Sequence, residues 1–274
     1  VSRFPGVFAR HGALDEGLFV PFVVLGDPGP EASLRVIEAL IEAGADALEL
    51  GLPFSDPPAD GPVIQAASLR ALAAGMTTAR ALELVAAVRR RHDLPISLLG
   101  YLNPLLRLGL DEFYRRAAAA GVDAMLVADV PLEEAAPLLE SAQRHGVDPV
   151  LIASERTGPE RLDAIARRGR GYLYAVAHAG VTGERADLAP TLAGALAAMR
   201  ARVPLPILAG FGISTPSQAR AALDAGAHGV LCGSAVVRRI AERLEDQDAA
   251  LAELRSFVAA MKAATRPHQG EPAC

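Results

Sequence analysis

The sequence predicts one α/β domain, a (β/α)8 TIM barrel, and three observations carry that expectation. A phrase of helical stretch, small-residue stop and short apolar strand recurs at 42–50, 120–127, 145–152 and 225–232. Strand after helix at such intervals means successive βα units, whose right-handed crossovers make the strands parallel. The composition agrees: 51% of the 274 residues are hydrophobic, yet only 4% are aromatic and Trp is absent. An interior of Ala, Leu, Val and Ile suits helices packed on buried parallel strands, and the length lies within the range of a single barrel.

The elements follow in order. A first strand at 19–25 runs into Gly26-Asp27-Pro28 and a helix at 31–43, whose Leu34, Ile37, Leu40 and Ile41 recur at three- and four-residue steps. Gly44 supplies the left-handed stop. The second strand, 47–50, opens a loop stiffened by four prolines, a helix starting near Pro62 and another at 78–91. Strand three at 96–99 ends in Gly100-Tyr101-Leu102-Asn103-Pro104 before a helix at 111–120. Strand four at 124–128 ends in Asp129-Val130-Pro131 before a helix at 133–144. Strands at 150–153, 172–176, 207–209 and 230–232, with helices at 160–168, 192–202, 216–225 and 249–264, complete the count of eight. No composition break divides the chain, so the barrel is expected to span 1–266, with a disordered tail at 267–274.

A net charge of −5 argues against nucleic acid and anionic membrane surfaces as partners, since both need a basic face. An anionic ligand must then be held by local donors. The two cysteines, Cys232 and Cys274, are too few for a disulfide framework or a zinc site, and the six histidines are scattered, so no metal is expected. With no secretory segment and no apolar run of about 20 residues, a cytoplasmic protein is expected.

The unusual residues fall after the strands, on the rim where barrel chemistry is expected. Foremost are Glu49, inside the second apolar strand, and Asp60, at the end of the proline-stiffened loop. A carboxylate among leucines is desolvated, which raises its pKa toward the range where it both gives and takes a proton, whereas a partly solvated Asp stays ionised. Spacing alone leaves a second reading open: a strand-end Glu bonded to backbone and an Asp that caps the helix at Pro62. Asp27 and Asp129 either orient this pair or cap adjoining segments. Glycine clusters at Gly210-Phe211-Gly212-Ile213-Ser214, Gly233-Ser234-Ala235 and Gly180-Val181-Thr182-Gly183 let backbone amides approach an anion, at the barrel's usual phosphate position. Taken singly, each is equally a tight turn or a helix cap.

These phrases together resemble one family, the alpha subunit of tryptophan synthase. The likeness runs over residues 1–266 and is strongest in Glu49 to Pro62 continuing into Ile64-Gln65, with Phe19-Val20-Pro21-Phe22, Tyr101, Asn103-Pro104, Asp129-Val130-Pro131 and the three glycine clusters. It implies a lyase that cleaves indole-3-glycerol phosphate to indole and glyceraldehyde 3-phosphate without a cofactor. By motif position Glu49 is the acid/base and Asp60 the acceptor of the indole N–H. Phe22, Tyr101, Leu126, Ile152, Tyr174, Thr182 and Phe211 match positions around the substrate, and Gly183, Gly212, Gly233 and Ser234 match phosphate binders. The resemblance also implies a pyridoxal-phosphate beta subunit as partner in an αββα assembly, met by Asp56 and Pro57; the pyridoxal phosphate belongs to that partner. The chain departs from the family at Ala177 and His178, where a serine and an arginine are usual, and at Ser154-Glu155-Arg156-Thr157. The altered loop around His178 suggests a second reading, a catalytically weak subunit that mainly activates its partner; a stand-alone indole-producing lyase is a third.

Overall fold

A computed structural model describes residues 2–176, 191–210 and 212–267. These residues form nine strands: β1 (Leu18–Val24), β2 (Leu48–Gly51), β3 (Ile96–Gly100), β4 (Ala124–Val127), β5 (Asp148–Pro149), β6 (Leu151–Ser154), β7 (Leu173–Val176), β8 (Ile207–Ala209) and β9 (Gly229–Cys232). They lie in the order β5-β4-β3-β2-β1-β9-β8-β7-β6, every pair parallel. The fifth expected strand is interrupted rather than absent. β5 pairs with β4 and β6 with β7, and between them the Val150 N–H still donates to the Met125 carbonyl at 2.9 Å. Eight staves therefore close a single TIM barrel, the seam running through one strand that serves a different neighbour with each half.

β1 is buried at all seven positions, as a strand covered by helices on one face and barrel interior on the other must be. Helices Pro30–Glu42, Thr78–Arg89, Leu110–Ala120, Ala136–His145, Pro159–Arg168, Thr191–Arg202, Pro216–Asp224 and Gln247–Ala263 lie within a few residues of those expected. Gly121 and Gly146 sit at positive φ as the stops of two of them. Three further helices mark the rim and the base: Phe4–Ala13, Leu102–Leu108 and Ser234–Ala241. Pro62–Ala73 starts where Pro62 announces it. None of the described helices is singly long and apolar enough to cross a membrane.

The base of the barrel, where the strands begin, is plugged by helix Phe4–Ala13. The Phe4 ring packs at a tilt against Tyr172 with centroids 4.9 Å apart. Beside it the buried Asp123 accepts from the Arg3 and Ile96 backbone amides and from the Arg3 and Arg89 guanidinium groups. A second cluster, His11, Glu16, Asp46 and Lys262, ties the first helix to the last, with Lys262 Nζ 2.9 Å from Asp46. The two networks leave the opposite rim as the open end.

Candidate active site

Residues level with one another on parallel strands project to the same face. Phe22 on β1, Glu49 on β2 and Ser97 on β3 are such a row, and all three point into the barrel. Glu49 is 1% exposed and its Oε1 has no hydrogen-bond partner among the described residues. Burial, with the charge of Asp60 second, raises its pKa to about 8. Its charge in turn raises the pKa of Tyr172 and Tyr174, after burial. The alternative of a strand-end Glu bonded to backbone finds no support in this geometry.

Asp60 arrives from the loop that follows β2. Phe54 rests on Tyr101 with ring centroids 5.5 Å apart, which pins the loop across the end of β3. The Asp60 N–H donates to the Pro57 carbonyl at 3.3 Å, and Gln65 Nε2 donates to the Asp60 carbonyl at 2.8 Å. Helix Pro62–Ala73 takes Gly61 as its N-cap, with no side-chain cap, so the Asp60 carboxylate is free of the capping role. It is also drier than the sequence suggested. Asp60 is half-buried, and desolvation raises its pKa despite the opposing influence of Tyr101. The Tyr101 hydroxyl faces this carboxylate from outside hydrogen-bond geometry, and burial followed by the Asp60 charge raises its own pKa.

The remaining walls are apolar. Leu126 on β4 is level with Leu99 on β3, and Ile152 on β6 with Tyr174 on β7. Two glycines make room for rings: a methyl at Gly51 would lie 2.6 Å from the Phe22 ring, and one at Gly210 only 2.4 Å from Tyr174. Leu99 shares this face and is partly exposed, yet sequence reasoning passed over it. The signal was there, because Leu99 lies two residues past Ser97 on a strand of period two.

Gly233 and Ser234 open helix Ser234–Ala241, whose start carries no side-chain cap. A Cβ on Gly233 would lie 3.5 Å from the Phe22 ring, so this helix end borders the ring wall. The neighbouring helix Pro216–Asp224 is closed by its own capping box: Thr215 accepts from the Gln218 N–H at 3.3 Å, and Gln218 Oε1 from the Thr215 N–H at 3.2 Å. Of the two helix starts beside the glycine loops, the one at Ser234 has no side-chain cap among the described residues; its Val236 and Val237 amides return to the Gly233 carbonyl, which leaves the Ser234 and Ala235 amides and the dipole end for a ligand. Gly212, at φ 74°, stands between β8 and that box. Thr182, Gly183 and Phe211, with Ala177 and His178, lie outside the described residues.

Two flanking acids separate. Asp129 Oδ1 accepts from the Leu102 N–H at 2.9 Å and so caps helix Leu102–Leu108. Asp27 is held by Arg70. Asp56 is exposed, taking a hydrogen bond from the Ser55 hydroxyl, while Pro57 beside it is buried. The Ser154 to Thr157 turn closes on itself, the Thr157 hydroxyl accepting from the Ser154 N–H at 2.9 Å.

A family model described as tryptophan synthase alpha chain matches residues 8–266. A tryptophan synthase alpha chain of Escherichia coli is 51% identical over 267 residues, covering 97% of this chain and 100% of that one. One from Cronobacter sakazakii is 50% identical over 268 residues with the same coverage. Among solved structures, a tryptophan synthase alpha chain from Legionella pneumophila superposes with a TM-score of 0.89 at 34% identity, covering 97% of each chain. A chain of the tryptophan synthase complex from Pyrococcus furiosus gives 0.82 at 34% identity, covering 90% of this chain and 98% of that one.

Proposed function

Because the chain belongs to the tryptophan synthase alpha chain family, and is thereby a carbon–carbon lyase that cleaves indole-3-glycerol phosphate, we propose that Glu49 and Asp60 are its catalytic pair. Glu49, still protonated at neutral pH, gives its proton to indole C3. Asp60 accepts the ring N–H and stabilises the positive charge that develops on the ring. Glu49, now a carboxylate, takes the proton of the side-chain hydroxyl next to the ring as the carbon–carbon bond breaks. The bonding electrons return to the ring, leaving indole and glyceraldehyde 3-phosphate. One proton leaves Glu49 and one comes back, so the step balances without a cofactor.

The observation that carries this reading is the buried Glu49 carboxyl, whose Oε1 has no partner among the described residues, beside a second acid on a separate loop. Phe22, Tyr101, Leu126, Ile152, Tyr174 and Phe211 would hold the ring, joined by Leu99. The uncapped helix start at Gly233 and Ser234, with Gly212, Thr182 and Gly183, would hold the phosphate through backbone amides, which suits a chain of net negative charge. The family further supports a cytoplasmic αββα assembly in which a beta subunit, carrying the pyridoxal phosphate, meets the exposed Asp56 and its neighbour Pro57. Indole release from indole-3-glycerol phosphate tests the catalytic pair. Glu49→Gln and Asp60→Asn are each expected to lower turnover by about a hundredfold or more; near-parental rates in both variants would overturn the assignment.

A further inference from the structure

Asp27, in the loop after β1, is 2% exposed and receives both arms of one guanidinium: Arg70 Nε donates to Oδ1 at 2.6 Å and Nη2 to Oδ2 at 2.9 Å. Arg70 lies on helix Pro62–Ala73, which begins two residues after Asp60. The same loop also meets the turn that follows this helix, where Gly26 approaches Met76 so closely that a methyl on it would lie 2.5 Å from the Met76 terminal carbon. On its other side the Gly26 N–H is taken by Ser33 Oγ at 2.9 Å. Helix Pro62–Ala73 also packs against β1 and against helix Ser234–Ala241. It is therefore wedged between the strand that carries Phe22 and the helix whose start borders the Phe22 ring. Apolar packing alone leaves such a helix free to slide or roll by small amounts, whereas a guanidinium–carboxylate fork fixes both separation and orientation. Any shift of the helix reaches the site directly, because Gln65 in its first turn holds the Asp60 carbonyl at 2.8 Å.

We propose that Asp27 and Arg70 form a positioning pair: through helix Pro62–Ala73 and Gln65, the fork sets where the Asp60 carboxylate stands relative to Glu49. The pair does not touch the substrate, and its role rests on the reading of Glu49 and Asp60 given above. Arg70→Lys keeps the charge but loses the fork, Arg70→Ala loses both, and Asp27→Asn weakens the fork from the other side.

Steady-state kinetics of indole release by the full chain, measured across pH, test the proposal. Turnover is expected to fall about tenfold in Arg70→Lys and about a hundredfold in Arg70→Ala, the scale of a small misplacement at a reacting centre, with KM little changed. The basic limb of the profile is expected to move to lower pH. Among the described residues, the titratable groups facing Glu49 are Asp60 from the loop, Tyr174 from β7 and Tyr172 just before it. Of these, Asp60 is the one whose position depends on the fork, and its retreat would lower the pKa of Glu49. Arg89→Lys, which weakens a buried ion pair with Asp123 at the opposite end of the barrel, is the control for general destabilisation. It should lower the urea midpoint and leave the limb in place. The proposal is overturned if Arg70→Lys and Asp27→Asn keep the parental turnover and limb, or lose activity only in step with the folded fraction. Failure of the underlying reading looks different: Glu49→Gln and Asp60→Asn would then stay active whatever the fork variants do.

Discussion

Glu49 holds its proton in the folded chain up to about 8, against 4.5 for the ordinary side chain. Between those values the unfolded chain has released a proton that the native state retains, so native stability falls as pH rises through that window and levels off above it. A Gln at this position cannot titrate and fits the same space. Glu49→Gln is therefore expected to raise the melting temperature while removing activity, by a margin that widens from about pH 5 to about pH 8. Thermal melts of both proteins at the two pH values would show it, and a margin independent of pH would count against a buried neutral acid. The sequence made Glu49 conspicuous because an acid interrupts an apolar strand. The degree of drying at Asp60 was not legible there, since Phe54 stacking on Tyr101 and the Gln65 hydrogen bond together draw the loop inward. Neither contact has a local signature.

Among the elements, the two helices beside the glycine loops show how similar sequence signals diverge. Pro216–Asp224 spends its leading amides on Thr215 and Gln218, while Ser234–Ala241 begins without a side-chain cap. Thr215→Ala should consequently cost about 1 kcal/mol of stability in urea unfolding and leave KM for the phosphorylated substrate unchanged. A raised KM would mean that this helix end, too, grips the ligand. The barrel staves and most of their helices were readable, because period-two and period-3.6 patterns and glycine stops are local. The helix Phe4–Ala13 escaped, since it belongs to no βα unit and is stabilised by what it covers, with Phe4 against Tyr172. The break at Val150 escaped for a related reason: which half of a strand pairs with which neighbour is a property of closure, not of the segment.

For the whole molecule, the division into a fastened base and an open rim explains how a barrel tolerates an unpartnered buried acid. Asp123 gathers two backbone amides and two guanidinium groups at the base, whereas Asp60 stands on the loop beyond the far end of β2 and Glu49 lies between them, level with Ser97. Asp123→Asn is expected to cost about 3 kcal/mol, because it leaves Arg89 half-desolvated beside a neutral group, and to leave the pH dependence of indole release in place. A shift of that profile would mean that the two ends are not energetically separate. The sequence by itself determined the parallel barrel, the rim position of the unusual residues, and the Glu49 and Asp60 pair with its family likeness, since alternation, glycine stops and loop motifs are written along the chain. Only the tertiary structure decided how dry each acid is, which of two glycine-flanked helix ends stays open, and that Arg70 holds Asp27. Those properties arise from residues distant in sequence brought side by side, and burial and ion pairing depend on that neighbourhood.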